Sequence, residues 1–135
     1  MLTFKTNKEK LLDGRKIQTL RRHGCRTGER LHIWWRNPRH MHTLKGDKPF
    51  KIGVAKCIEC FPIKIDADGN PKFVVEYPKF YAVVEYDLSE EQKEEIARLD
   101  GYDTWEELLQ ALKDLNRTYE GTWYVIRWSK IRREL

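Results

Sequence analysis

Gly14-Arg15-Lys16-Ile17-Gln18-Thr19-Leu20-Arg21 brings a turn glycine, a lysine, a threonine hydroxyl and an arginine into one short stretch. If Thr19 and Arg21 lie on a strand they share a face, because strand side chains alternate. Lys16 stands three residues before Thr19 and joins that face only where the chain turns or bulges between them. An ammonium, a hydroxyl and a guanidinium held together suit a phosphate or a carbonyl oxygen. The same composition also suits a solvated strand with basic side chains. The surroundings of the stretch therefore carry the decision.

On its N-terminal side, Asn7 to Leu12 reads as a short helix with Asn7 at the N-cap, stopped at Asp13-Gly14. On its C-terminal side, Lys16 to Arg22 is extended, and Arg26-Thr27-Gly28-Glu29 is a turn. Arg30 to Trp35 is a strand rich in β-formers. Asn37 to Lys48 is a polar loop holding His40 and His42, long enough to suggest function or mobility. Phe50 to Ile65 is a long strand, and Asp68-Gly69-Asn70 a tight turn. Phe73 to Tyr77 and Tyr81 to Tyr86 are two more strands, with Pro78 as the break between them. Ser89 to Gln92 and Thr104 to Glu107 are capping boxes that open two helices. Ile96 and Leu99 share a face of the first; Leu108, Leu109, Leu112 and Leu115 form the apolar stripe of the second. Thr122 to Trp128 closes the order as a strand, and Lys130 to Leu135 is a basic tail. Strands followed by helices and a last strand predict an α+β class, with an antiparallel or mixed sheet curling into a small β-barrel of about five to six strands with flanking helices. A chain of 135 residues without internal repeat or linker reads as one domain, 1–135.

Charge adds a direction. The net charge is +5. Before Cys57 there are 15 Lys or Arg against 4 Asp or Glu, and from Cys57 onward 11 against 17. A basic half facing a polyanion is one reading, and mutual neutralisation of the two halves across the fold is the other. No apolar run approaches the ~20 residues of a membrane helix, and no apolar core precedes the first lysines, so the expectation is a cytoplasmic chain without membrane contact. The three cysteines, Cys25, Cys57 and Cys60, are an odd number and argue against a disulfide framework.

In this context the chain resembles the ASCH family (activating signal cointegrator homology), especially its short stand-alone bacterial and phage-like members. The family opens on Gly-x-Lys-x-x-Thr-x-Arg, which Gly14, Lys16, Thr19 and Arg21 match at every defined position. Thr27-Gly28-Glu29-Arg30-Leu31 is similar to its next turn. Asp100-Gly101-Tyr102 and Trp105-Glu106-Glu107-Leu108 resemble its helices after the barrel, and Trp123 to Trp128 its last strand. The resemblance covers nearly the whole chain. It implies a PUA-like barrel with a cleft between barrel and helices, and RNA or a modified nucleoside as partner, with single-stranded DNA as a further candidate. No cofactor is expected. One small branch hydrolyses the acetyl amide of N4-acetylcytidine with a Lys, a Thr and a Glu. Lys16 and Thr19 match the first two, and the acidic position falls on Asp100, an Asp where that branch has Glu. Another branch is linked to cleavage of single-stranded RNA. Under the amidohydrolase reading Thr19 is the nucleophile, Lys16 the base or carbonyl polariser, and Asp100 the acid that orients Lys16. Arg21 then stabilises an oxyanion or anchors a phosphate.

Further ligand contacts are expected from Arg15, Arg21, Arg22, Trp34, Trp35, Arg36, Arg39 and His40, where arginines interleave with aromatics able to stack on bases. Trp34 and Trp35 point opposite ways in a strand, so only one is expected to be open to a ligand. Trp105, Trp123 and Trp128 are expected in the core. Cys57-Ile58-Glu59-Cys60, with Cys25, His23, His40 and His42, offers enough ligands for zinc. A strand, however, turns Cys57 and Cys60 to opposite sides, so buried thiols and no metal are expected. A monomer or weak dimer is expected. Besides a binding module and an enzyme, a regulatory protein-interaction module using the acidic helices Ser89 to Leu115 stands as a third class.

Overall fold

The chain is described here by a computed structural model covering residues 1–40 and 48–133. Its elements run β1 (Leu2–Phe4), α1 (Lys8–Asp13), β2 (Gln18–Arg21), β3 (Arg30–Trp35), β4 (Phe50–Ile65), β5 (Pro71–Tyr77), β6 (Ala82–Asp87), α2 (Glu90–Leu99), α3 (Trp105–Asn116) and β7 (Gly121–Trp128). Short 3-10 turns occupy Pro38–His40 and Pro78–Phe80. The class is α+β, and the mixed sheet curls into a half-barrel. Among the described residues no helix is long and apolar enough to cross a membrane.

Strand β4 is the spine. Its first half pairs antiparallel with β3, from Trp35↔Phe50 to Arg30↔Lys56. Its second half pairs antiparallel with β7, from Cys57↔Trp128 to Ile65↔Gly121, and its end also takes β5. The ladder to β7 slips between Cys57 and Glu59, so Ile58 is an extra residue on β4. A bulge of this kind bends a strand and sharpens its twist, which lets one long strand serve two parts of a curled sheet. Strand β2 pairs antiparallel with β7, setting Thr19 opposite Ile126 and Arg21 opposite Tyr124. The three-residue β1 pairs parallel with β3, Phe4 opposite Trp35.

The apolar alternation of these strands fills two packed regions. One joins β1, β3 and the first half of β4 to Leu11 and Trp128. The other joins β2, β7 and the end of β4 to the stripes of α2 and α3 through Ile96, Trp105, Leu108 and Leu112. The helices therefore spend their apolar faces on the sheet. The large exposed apolar side chains gather instead on the β5–β6 hairpin, as Phe80, Tyr81 and Val83.

Local chemistry explains most of the element ends. Ser89 Oγ accepts from the Gln92 N–H at 3.2 Å, and Gln92 Oε1 accepts from the Ser89 N–H at 2.8 Å, a complete capping box. Thr104 caps α3 through the Glu107 N–H at 3.2 Å, but the Glu107 carboxylate accepts from Asp103, one residue before the expected partner. Asn7 precedes α1 in a left-handed conformation and makes no side-chain cap, in contrast to the expected N-cap bond. Gly14 ends α1 at φ +85°, where any Cβ would be strained. Gly53 is required for a different reason. The tail crosses it closely, with Arg132 bridging Val54, and a Cβ at Gly53 would collide with the Arg132 carbonyl oxygen. Gly53→Ala is expected to lower stability by about 1–3 kcal/mol, the usual cost of overpacking. Chemical denaturation checks this, and an unchanged midpoint would remove the close approach.

Candidate functional site

The last carbonyls of a helix lack intrahelical donors. Those at the end of α2 and just beyond it are met by the stretch from Asn7 to Gln18, across α1 and the start of β2. Gln18 Nε2 donates to the Ile96 carbonyl at 2.9 Å, and the Ile17 N–H to that of Leu99 at 3.0 Å. Lys16 Nζ donates to the Asp100 carbonyl at 2.6 Å, and Asn7 Nδ2 reaches the same oxygen at 3.4 Å. Lys10 Nζ donates to the Gly101 carbonyl. Two lysines at the negative end of a helix complement its dipole.

Lys16 also pairs with the Asp100 side chain. Its Nζ bonds Asp100 Oδ1, while Asp100 Oδ2 accepts from Gln18 Nε2 at 3.3 Å. Lys16 is 3% exposed and Asp100 4%. Burial pulls the Lys16 ammonium below its ordinary value of 10.5, and the Asp100 carboxylate opposes that pull. Gln18 is fully buried and bound at both ends, because its Oε1 accepts from Arg127 Nε at 2.9 Å. Arg127 in turn pairs with Glu59 at 2.9 Å. Asp100 is thus held from one side by Lys16 and from the other by an amide fixed on β7.

Beside this pair lies a cleft of about 260 Å³ between β1–β2 and α3. Lys16, Thr19, Arg21 and Asp100 all border it. The turn into β2, which starts only at Gln18, brings Lys16 round to the side of Thr19. Among the described residues the Thr19 hydroxyl has no partner. Arg21 Nη2 donates to the Thr3 carbonyl at 2.7 Å, and its guanidinium lies 5.0 Å from the Phe4 ring centroid. Burial lowers its pKa, and Asp100 opposes this. Arg21 Nε is buried with no partner among the described residues. Tyr102 closes one end, and burial holds its phenol above the ordinary range, so it remains a donor. The opposite wall is apolar, from Leu108, Leu112, Leu115 and Trp123. Arg22 lies across the Trp123 ring, 3.7 Å from its centroid, and spends its donors on the Thr122 and Glu120 carbonyls at 3.0 and 2.9 Å.

The other anticipated contacts lie elsewhere. Arg15 is exposed, paired with Asp13 at 2.7 Å, and does not border the cleft. Trp35 is a core residue and offers no stacking face, because its position on β3 turns it inward against Phe4 and Leu11; Trp34 is half-exposed on the other face. Arg36 takes φ +61° after β3, and its N–H donates to the Phe4 carbonyl at 2.8 Å. Arg39 is exposed on the 3-10 turn. None of Trp34, Trp35, Arg36 and Arg39 borders the cleft. The side chain of His40, and His42 entirely, lie outside the described residues. Trp105, Trp123 and Trp128 are buried, with Trp123 doubling as cleft wall. Gln18, Phe4, Tyr102 and the α3 leucines were not anticipated. For Gln18 a signal existed, a neutral amide inside a strand otherwise facing apolar layers, which a buried amide can occupy only if both its ends are bonded.

Comparison with protein-family models, with characterised proteins and with solved structures finds no match to this chain.

Proposed function

We propose that the chain is a PUA-like ASCH domain whose cleft hydrolyses an amide on a nucleoside, N4-acetylcytidine being the type substrate. The observation that carries the reading is the meeting of Lys16, Thr19, Arg21 and Asp100 around one cleft, with the Lys16–Asp100 pair formed. An open basic face would have favoured a polymer; a cleft of about 260 Å³ sits just below the roughly 300–1,000 Å³ usual for small-ligand pockets. One apolar wall and one polar wall suit a flat base carrying a polar substituent.

The chemistry follows from the groups. A hydroxyl needs a base to become a nucleophile at neutral pH. A lysine whose pKa is lowered by burial can lose its proton and serve as that base. Thr19 Oγ attacks the acetyl carbonyl, and Lys16 takes its proton. Arg21 borders the cleft and brings its positive charge to the developing oxyanion. The proton on Lys16 passes to the leaving amine of the base, and water then releases acetate from Thr19. Asp100 fixes the Lys16 amine and takes up its charge. Asp100 is shorter than Glu by a methylene, yet at the end of α2 both its carbonyl and its carboxylate accept from Lys16.

Incubating the purified chain with N4-acetylcytidine is expected to release cytidine and acetate, followed by chromatography. No release at high enzyme concentration would remove the reaction. A second reading, RNA or nucleoside binding without turnover, is favoured by the basic surplus before Cys57. Saturable binding of nucleoside or RNA without product would establish it instead.

A further inference from the structure

Three thiols meet where the loop after β2 crosses the bulge of β4. Cys25 Sγ donates to Cys57 Sγ at 3.1 Å, and the Cys25 backbone N–H donates to Cys60 Sγ at 3.3 Å. A regular strand would turn Cys57 and Cys60 apart. The extra residue Ile58 changes that parity, so both face Cys25, correcting the expectation from alternation. All three are free thiols; Cys57 is buried, and Cys25 and Cys60 are half-buried. None borders the cleft. Cys25 instead borders a separate depression with His23 and Glu29, through which a small oxidant can reach it. Among the described residues no three His, Cys, Asp or Glu side chains are arranged to hold a metal ion. The approach of the loop is close: a Cβ on Gly24 would press on the Tyr124 ring and on Cys60 Sγ.

We propose that Cys25 and Cys57 form an oxidisable dithiol, a covalent modification site that closes to a disulfide with a hydroperoxide as oxidant. The two sulfurs need to approach by only about 1 Å to reach disulfide length. Burial and the neighbouring Cys57 and Cys60 sulfurs hold the Cys25 thiol well above its ordinary range, so oxidation is slow and runs through its minor thiolate. That thiolate attacks the peroxide oxygen; an S–O bond forms, the O–O bond breaks, and the departing hydroxide, or alkoxide from an organic hydroperoxide, is protonated to water or alcohol. Cys57 Sγ then attacks the Cys25 sulfenic sulfur; the S–S bond forms, the S–O bond breaks, and hydroxide leaves with the Cys57 proton as water. Two thiols are oxidised by two electrons, and one peroxide is reduced. Cys60 remains a thiol. The product ties the loop bearing Cys25 to the spine strand.

The test treats the full chain with a modest excess of hydrogen peroxide and counts thiols after unfolding. The count is expected to fall from three to one per chain, with the intact mass lower by two hydrogens and a Cys25–Cys57 linked peptide in the digest. Dithiothreitol restores three. Cys60→Ser keeps the reaction, whereas Cys25→Ser and Cys57→Ser each abolish the intramolecular link. Gain of oxygen without loss of hydrogen, a link through Cys60, or a link only between chains would overturn the proposal.

Discussion

Replacing Lys16 by alanine is expected to cost the folded state roughly 3–5 kcal/mol, the range for breaking a buried ion pair from one side. The size follows from what remains. Asp100 keeps its place at the end of α2, 4% exposed, and among the described residues its carboxylate is left with the Gln18 hydrogen bond at 3.3 Å and the charge of Arg21. The Asp100 carbonyl loses its 2.6 Å donor as well. Lys16→Met separates charge from packing, because it keeps most of the stem between Phe4 and Tyr102, whose ring centroids lie 5.5 and 5.8 Å from Nζ. The Met variant is expected to lose less than the Ala variant. Lys16→Met with Asp100→Asn is expected to recover part of the loss, since no charge is then buried without its partner. Urea denaturation of wild type, Lys16→Met, Asp100→Asn and the double variant gives the cycle. A Lys16→Met variant within about 0.5 kcal/mol of wild type would mean that the pair is not a structural tie.

The same pair has a pH signature. Lys16 releases its proton below 10.5 in the folded chain, because burial outweighs the attraction of Asp100. In the unfolded chain it holds the proton to about 10.4. Between the lowered folded midpoint and the unfolded one, the unfolded state binds more protons, so stability climbs with pH. This contribution is complete above the unfolded value and is lost as pH falls through the folded one. Lys16→Met is expected to flatten the climb; a climb of the same height in the variant would assign it to other groups.

Much of this was open to a reader of the sequence, and the reasons divide cleanly. Strand β4 was legible from Phe50 to Ile65 because its β-formers run unbroken between turns, and α2 because Ser89 and Gln92 are a local signal complete in four residues. Strand β1 was not. Leu2–Phe4 is too short to show alternation, and its parallel partner β3 lies some thirty residues away. The bulge at Ile58 was not legible either, since an extra residue leaves no mark in a chain of β-formers, yet it decides where Cys57 and Cys60 face. At the site, Lys16 and Thr19 stand in the opening motif and Asp100 at the acidic position the resemblance implies, but the reason Lys16 is buried is hidden. It closes the carbonyl end of a helix whose sequence begins more than seventy residues later. Positions fixed by such distant partners have no local pattern to read.

That structural duty is also why Lys16 alone cannot decide the function. A residue that caps a helix and one that moves a proton both fail when replaced, so the decisive substitution belongs at Thr19. Thr19 borders the cleft and its hydroxyl has no partner among the described residues, so no hydrogen bond of the fold depends on it. Thr19→Val keeps the branched shape and removes only the hydroxyl. It is expected to leave stability within about 0.5–1 kcal/mol of wild type. Turnover of N4-acetylcytidine is expected to fall on the order of 10⁴-fold or more, as when other catalytic nucleophiles are deleted. Thr19→Ser is expected to keep part of the activity, and mass spectrometry of a quenched wild-type reaction to find the acetyl group on Thr19. If Lys16 is the base, the wild-type rate is expected to rise with pH to a midpoint below 10.5. In Asp100→Asn that midpoint moves lower, because the carboxylate that favours the ammonium is gone. Undiminished turnover by Thr19→Val would transfer the attack to water and leave the cleft a general-base site. A loss of stability parallel to the loss of activity would make Thr19 a packing residue and nothing more.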